Sequence, residues 1–278
     1  MLTMDLPALV DAASHAAFAA GREILTVYGT EFTSEQKADK SPLTEADKRA
    51  HHAIVAALAA TGLPVLSEEG KTLTTAERQS WQRYWLVDPL DGTKEFIKRN
   101  GEFTVNIALM ERDGEPIGLL GAARPIAGVL YVPVKDVLYF AWEGGGAYRQ
   151  NASATRAAAS AYERASQADR LPVTNQRPAY TIVASRSHQS PETEAFIKKM
   201  EAQHGSIALA SMGSALKICL VAEGAADVYP RYAPTMEWDT AAGHAIVNEA
   251  GKQLIDITTG APMRYNKNEL VNNWFIVQ

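Results

Sequence analysis

Apolar residues recur at helical spacing near the start of the chain. Those between Leu6 and Leu25 return every third or fourth position, which predicts an amphipathic helix over residues 6–28. Polar residues follow, and a second helix is predicted from Thr44 to about residue 61. The two helices are expected to pack through their apolar faces.

The middle of the chain has short apolar or alternating runs that are typical of strands. These runs predict strands over residues 64–67, 85–87, 103–110, 117–123, 129–132 and 138–142. A polar connector over residues 71–82 separates the first two. The run Gly144-Gly145-Gly146 indicates a strand turn, since it lacks the Lys and Ser/Thr of a phosphate-binding P-loop. The pattern predicts a mostly antiparallel sheet flanked by helices.

After residue 175, strand and helix patterns alternate. Strands are predicted over residues 180–184, 206–210, 226–229, 252–257 and 274–277, with helices over 191–203 and from Glu237 to Gly251. The stretch before them is rich in Ala, Ser and charge without an apolar stripe, which indicates a linker. We therefore expect an N-terminal α+β half over residues 1–150, an exposed linker or insertion over 151–175, and a C-terminal α/β half over 176–278.

Composition narrows the class of protein. A chain of 278 residues with 46% hydrophobic residues can bury a substantial core, and its net charge of −5 argues against binding to nucleic-acid polymers. The single cysteine, Cys219, excludes a disulfide framework within the chain and favours a reducing compartment. No run approaches the length of a membrane span. A cytoplasmic location is the default expectation; peripheral attachment to the inner membrane leaves no obligatory sequence signal, and the oligomeric state stays open.

Candidate chemistry is concentrated at residues 85–96, where an apolar run meets Asp88-Pro89-Leu90-Asp91-Gly92-Thr93. The proline stiffens the turn, so the carboxylates of Asp88 and Asp91 can converge on one point. Gly92 allows close backbone approach, and Thr93 opens a helix whose free N–H groups attract anions. Carboxylates and carbonyls are ligands that Mg²⁺ prefers, often together with substrate phosphate. The alternative is a turn that only caps a helix.

The string D-P-x-D-G-T after an apolar strand resembles the lithium-sensitive, magnesium-dependent phosphatases of the inositol monophosphatase superfamily. The continuation from Lys94 to Leu109 is similar to the bacterial 3'(2'),5'-bisphosphate nucleotidases within it. The similarity extends over nearly the whole chain and is weakest around residues 150–170. It implies a layered αβαβα sandwich and two or three Mg²⁺ ions.

The resemblance also implies roles for acidic residues elsewhere in the chain. The Glu-Glu pair at residues 68–69 matches the family pattern, and Glu68 lies 20 residues before Asp88, as the family's metal ligand does. Trp238-Asp239 matches the second signature, so Asp239 would complete a set of metal ligands consisting of Glu68, Asp88, the Leu90 carbonyl, Asp91 and Asp239. Thr93, with Glu68 or Asp47, would orient and deprotonate the attacking water.

The substrate implied by the resemblance is a nucleotide bisphosphate, with Ser214, Lys217 and Arg231 lining its site beside Gly92 and the metal ligands. The reaction would convert 3'-phosphoadenosine 5'-phosphate to AMP and phosphate in sulfur assimilation, with activity on 3'-phosphoadenylyl sulfate left open. Inositol monophosphate or sugar bisphosphate hydrolysis is the alternative within the superfamily. A non-catalytic binding protein is the alternative outside the enzymes, and the presence of all four acids with Thr93 disfavours it.

Overall fold

A computed structural model describes residues 4–30, 34–36, 42–115, 121–156, 160–173, 177–184 and 190–278, with only the backbone for 34–36 and 42–44. The helices within these ranges are α1 Leu6–Tyr28, α2 Glu45–Leu58, α3 Thr75–Gln79, α4 Thr93–Ile97, α5 Ala161–Ser166, α6 Pro191–His204, α7 Leu216–Ala222 and α8 Glu237–Glu249. The strands are β1 Ser34–Gln36, β2 Pro42–Thr44, β3 Val65–Ser67, β4 Arg83–Asp91, β5 Thr104–Arg112, β6 Ala123–Val132, β7 Val137–Trp142, β8 Gly146–Asn151, β9 Asp169–Arg170, β10 Tyr180–Val183, β11 Ile207–Ala210, β12 Tyr229–Arg231, β13 Leu254–Asp256, β14 Ala261–Pro262 and β15 Phe275–Val277.

The central feature is a seven-stranded sheet in which the strands lie in chain order from β3 to β9. Its neighbours are antiparallel except for β3 and β4, which run parallel. The mostly antiparallel sheet is therefore confirmed. Between Asp88 and Asp91 the pairing of β4 with β5 shifts register. Such an irregularity redirects the side chains at a strand end.

Alternation along the sheet divides the interior into two cores. On β4, Tyr84 and Leu86 face a core formed with α7 and α8, whereas Trp85 and Val87 face a core formed with α1 and α2. All four side chains are buried. Both faces of the sheet are thus covered by helices, as the period of two in a fully buried strand requires.

The remaining layers lie beyond α7 and α8. A four-stranded sheet in the order β12-β15-β13-β14 contributes buried residues such as Phe275 to the α7/α8 core. The parallel pair β10 and β11 adjoins it through a bridge from Ile182 to Val228. Helix α6 then covers these strands with Ile197 and Met200. The order helix, sheet, helix, sheet, helix confirms the αβαβα sandwich.

Several regions differ from the sequence prediction, among them the strand predicted over residues 226–229, which is observed as β12 over Tyr229–Arg231. The connector over 71–82 contains α3, and Arg78 within it is only 3% exposed. Strand β6 begins at Ala123, the last residue of the strand predicted over 117–123, and continues through residues 124–128, which were not predicted as strand, into the segment predicted over 129–132; residues 116–120 lie outside the described ranges. Pro125 sits where the pairing of β5 with β6 shifts register, and a bulge is one of the places where a strand accepts proline.

The division into two halves joined at residues 151–175 stays a prediction, but the described part of that segment is not exposed throughout. Helix α5 has a capping box on Ser160. Its Arg164 is fully buried, with the guanidinium carbon 5.0 Å from the centre of the Phe18 ring. Composition alone does not reveal such contacts.

The glycine run at residues 144–146 forms the turn between β7 and β8. Its N–H groups serve the fold: Gly144 N and Gly146 N donate to the carboxylate of Glu249 at 3.2 and 2.9 Å. This contact fastens the end of α8 to the sheet. In the described ranges, none of the helices has the length and apolar character needed to cross a membrane.

Candidate metal and phosphate site

Three aspartates converge at the end of β4. Asp88 and Asp91 come from β4, and Asp239 comes from the first turn of α8. One carboxylate oxygen of each lies within 4.8 Å of the others. The structure therefore brings together the two acids of the turn and the acid of the second signature, although about 150 residues of chain separate them.

Protein hydrogen bonds hold one oxygen of each carboxylate. Asp88 Oδ1 accepts from Leu90 N at 3.1 Å, Asp91 Oδ2 accepts from Ala215 N at 2.6 Å, and Asp239 Oδ2 accepts from Met236 N at 2.8 Å. Among the described residues, no protein donor or ion pair is found for the second oxygen of any of the three. Each side chain is thus fixed in orientation while keeping one oxygen for a ligand.

The electrostatics of this cluster are unfavourable without a cation. Burial raises the pKa of Asp88 well above its ordinary value, and the charges of Glu68, Asp91, Asp239 and Asp47 raise it further. Burial also raises the pKa of Asp91 to about 6, although Lys217 and the Ala215 N–H act in the opposite direction. The pKa of Asp239 is raised well above its usual range by burial and then by Asp91. Carboxylates that are buried this close together repel one another, so binding of a proton or a cation between them is favourable.

The donor set fits a hard divalent cation. The three groups that converge are carboxylates, and in the described ranges no histidine or cysteine joins the cluster. Asp88, Asp91 and Asp239 each present an oxygen without a protein donor, as a metal ligand must. A divalent ion would offset the repulsion that raises their pKa values.

The other predicted acids lie around this group. Glu68 follows β3, and its N–H donates to Val87 O at 3.1 Å, which places it beside Asp88. It is outside the group of three that meet within 4.8 Å, but its charge raises the pKa of each member. Asp47 is buried in the first turn of α2. The Thr93 hydroxyl lies 3.5 Å from both Asp47 Oδ2 and Leu90 O, so it links these two predicted site residues.

A cavity of about 270 Å³ is lined by two of the three aspartates, Asp91 and Asp239. Lys217 and Arg231 lie on its wall, and Ser214 adjoins Gly92 there. Ser214 has a left-handed backbone with φ +47°, and its hydroxyl oxygen lies 3.3 Å from that of Thr104. Burial lowers the pKa of the Lys217 ammonium, and the nearby Arg231 charge lowers it further, although Asp91 opposes both. The cavity is therefore lined both by carboxylates and by the cationic side chains of Lys217 and Arg231.

A second cavity of about 550 Å³ adjoins the first. It is lined by polar side chains such as Lys98, Asn100 and Thr193, and by the ring of Tyr232. Lys217 and Arg231 line both cavities. A ligand with one anionic group at the aspartates can thus extend into a larger polar space past two cations.

The N-terminus of α8, which carries Asp239, is held from behind by a buried ion pair. Glu237 is fully buried; its Oε1 accepts from Lys267 Nζ at 2.6 Å and Lys267 N at 3.1 Å, and its Oε2 accepts from Asn266 N at 2.7 Å. Arg78 Nη1 in turn donates to Asn266 Oδ1 at 2.7 Å. Helix α3 is thereby tied to the helix that presents Asp239.

Sequence reasoning missed residues that hold the site in place. Asn106 donates to Asp91 Oδ2 at 3.4 Å and accepts from Thr104 Oγ1 at 2.9 Å. A polar residue at a buried position between Val105 and Ile107 was the available signal. Glu237 and Arg78 gave no such signal, because ordinary charged residues are exposed.

Comparison with known proteins agrees with this geometry. A family model described as the inositol monophosphatase family matches residues 5–275. The chain belongs to the inositol monophosphatase family. Enzymes of this family are phosphatases that use a divalent metal, and the acidic cluster fits such a metal. The resemblance found in the sequence is confirmed.

Relatives with known names are similar over most of their length. The chain is 44% identical over 254 residues to the 3'(2'),5'-bisphosphate nucleotidase CysQ of Shigella flexneri, covering 90% of this chain and 91% of that one. The crystal structure of CysQ from Bacteroides thetaiotaomicron matches with 51% identity and a TM-score of 0.87, covering 98% and 97% of the two chains. The extragenic suppressor protein suhB of Bartonella henselae matches with 25% identity and a TM-score of 0.69, covering 97% and 93%.

Proposed function

We propose that this protein is a Mg²⁺-dependent 3'(2'),5'-bisphosphate nucleotidase that converts 3'-phosphoadenosine 5'-phosphate to AMP and phosphate. The observation that carries the proposal is the pair of joined cavities. The smaller is lined by Asp91 and Asp239, which form a cluster with Asp88, and the larger extends past Lys217 and Arg231. The name of the CysQ relatives supports the same substrate.

In this proposal the acids hold two or three Mg²⁺ ions. Asp88, Asp91 and Asp239 would use their oxygens that lack a protein donor, and Glu68 and the Leu90 carbonyl would complete the set of ligands. Bound Mg²⁺ would polarise the phosphate and neutralise the charge on the entering and leaving oxygens. The chain's contribution is the fixed direction of these ligands, set by the hydrogen bonds from Leu90, Ala215 and Met236.

Water activation falls to Thr93 and Asp47. The Thr93 hydroxyl, 3.5 Å from Asp47 Oδ2, can orient a water in line with the phosphorus–ester bond. The buried Asp47 carboxylate then accepts the proton of the water as the new phosphorus–oxygen bond forms. The bond from phosphorus to the ribose oxygen breaks, and that oxygen takes a proton from solvent. Glu68 is the second candidate for the proton acceptor.

The phosphate that does not react is bound by the cationic side chains that line both cavities. Lys217 and Arg231 line both cavities, so they can pair with a phosphate that sits beyond the reacting one. Ser214 can donate its hydroxyl between the two, beside Gly92. The larger cavity then accommodates the nucleoside. An inositol phosphate would leave that space to water, which supports the nucleotide over the inositol alternative.

The proposal is tested by measuring phosphate release in Mg²⁺ from adenosine 3',5'-bisphosphate, inositol 1-phosphate and fructose 1,6-bisphosphate. We expect the highest kcat/KM for the nucleotide and no turnover when EDTA removes the metal. A higher kcat/KM for inositol 1-phosphate would overturn the nucleotidase assignment and leave the family unchanged.

A further inference from the structure

In the described part of the chain, four side chains form the junction between the two cavities. Lys217, Arg231, Tyr229 and Glu95 line both of them. Lys217 and Arg231 are cations, and Tyr229 is a neutral phenol: burial raises its pKa to about 12, although the nearby Arg231 charge lowers it. Glu95 differs from these three because an ionised carboxylate can only accept hydrogen bonds. A ligand that spans the cavities therefore passes one acceptor that needs a donor.

The structure leaves the Glu95 carboxylate open toward this junction. Glu95 lies in α4 and is half-buried. Its Oε2 is 3.3 Å from the point where a Cβ at Gly92 would lie, and its Cγ is 2.8 Å from the corresponding point at Gly213. The Glu95 side chain thus occupies space that is available because residues 92 and 213 are glycines without a Cβ. Among the described residues, no donor or ion-pair partner is found for its oxygens.

A second acidic residue at the larger cavity, Glu102, differs from Glu95 in its hydrogen bonding. Glu102 also lines the larger cavity, but its Oε2 accepts a hydrogen bond from Gly213 N at 2.7 Å. Glu102 therefore serves the loop that leads to α7. The Glu95 carboxylate accepts no such hydrogen bond in the described part of the chain. Because it lies where the two cavities meet, a hydroxyl of a bound ligand could donate to it.

The chemistry of the ligand selects which hydroxyl. In a nucleoside bisphosphate the two phosphates are drawn to the metal site and to Lys217 and Arg231, and they are repelled by a carboxylate. The ribose lies between the phosphates and carries one free hydroxyl next to the reacting ester. Resting on the nucleotidase function proposed above, we propose that Glu95 accepts a hydrogen bond from this vicinal ribose hydroxyl and is a specificity-determining residue. The same contact serves a 2'- or a 3'-phosphate, since the free hydroxyl is the neighbour in either case.

The competing role for Glu95 is electrostatic. Its charge raises the pKa of Lys217, so it could act only by keeping that ammonium charged. The two roles predict different substrate dependence. A counter-charge for Lys217 affects every nucleotide bisphosphate alike, whereas an acceptor for the ribose hydroxyl affects only substrates that carry this hydroxyl.

The test compares kcat/KM for adenosine 3',5'-bisphosphate and its 2'-deoxy analogue. A hydrogen bond to a charged group implies that the wild type prefers the ribonucleotide by about 10- to 150-fold. In Glu95→Ala this ratio should fall to about 1, with the deoxy substrate hydrolysed at nearly the wild-type rate. Glu95→Gln, which keeps a neutral acceptor, should show an intermediate ratio.

Glu102→Gln is the matched control at the larger cavity, and it should change both substrates by the same factor. Unchanged thermal unfolding of Glu95→Ala shows that its fold is intact. An unchanged ratio in Glu95→Ala, or equal losses on both substrates, would overturn the assignment. If the wild type hydrolyses both nucleotides equally, the Glu95 assignment alone fails; if it hydrolyses neither, the proposed function fails and takes the assignment with it.

Discussion

Removal of one partner of the buried Glu237–Lys267 pair should strongly destabilise the protein. Lys267→Met keeps the apolar stem but deletes the ammonium that lies 2.6 Å from Glu237 Oε1. The side chains of the pair are 0% and 8% exposed, so water cannot replace the lost partner. An uncompensated buried charge of this kind costs about 3–5 kcal/mol.

The cost translates into a measurable shift in melting temperature. An unfolding entropy of about 2.1 cal/mol/K per residue over 278 residues gives a fall in Tm of about 5–9 °C for Lys267→Met. Thermal unfolding followed by circular dichroism at pH 7 measures it. The double variant Glu237→Gln/Lys267→Met removes both charges and should recover at least half of the loss.

An exposed ion pair is the control for this prediction. Arg49 and Glu45 lie 3.0 Å apart on α2 with side chains 45% and 51% exposed. Glu45→Gln should cost at most about 0.5 kcal/mol, or about 1 °C in Tm. A shift for Lys267→Met no larger than that of Glu45→Gln would refute the claim that the buried pair fastens α8.

Three other predictions concern the site and the pH dependence of stability. Asp91→Asn should keep the hydrogen bond from Ala215 but reduce turnover at saturating Mg²⁺ by at least about 100-fold; near wild-type turnover would exclude Asp91 as a ligand. Lys217→Ala and Arg231→Ala should raise KM for the nucleotide far more than they alter hydrolysis of a small phosphate monoester, and equal losses on both substrates would contradict the assigned role. Burial lowers the pKa of His244 to about 3. Between pH 6.5 and pH 3 the imidazole is therefore protonated in the unfolded chain and neutral in the folded protein. This contribution to stability is complete above pH 6.5 and falls by about 1.4 kcal/mol per pH unit toward pH 3; the difference in unfolding free energy between wild type and His244→Gln should follow that slope, and a flat difference would be inconsistent with a buried neutral imidazole.

Much of the fold could be predicted where the signal is local and long. Helix α1 begins and ends at the residues expected from its apolar period. Helix α3 was missed because five residues carry too little periodic signal. The sequence prediction left out residues 124–128 of β6, which include Pro125, since a proline normally interrupts a ladder and the bulge that accommodates it depends on the partner strand.

In the candidate site too, the local turn could be predicted from the sequence, whereas the long-range contacts could not. The turn from Asp88 to Thr93 could be interpreted from its own residues, because proline and glycine fix the backbone there. Asp239 could be assigned only through the family signature. The contacts that hold these acids join distant positions: Arg78 and Asn266 are 188 positions apart. No local pattern predicts such a pair, so their role emerges only from the tertiary structure.

The most direct test of the central claim is the identity of the product formed from adenosine 3',5'-bisphosphate. In the proposed function the reacting phosphate lies in the cavity lined by Asp91 and Asp239, which form a cluster with Asp88, and the retained phosphate pairs with Lys217 and Arg231. Chromatographic separation of the adenosine monophosphates after incubation with Mg²⁺ should show adenosine 5'-phosphate with one equivalent of inorganic phosphate, and no product when EDTA is present. Adenosine 3'-phosphate as the product, or unchanged hydrolysis in EDTA, would contradict the account.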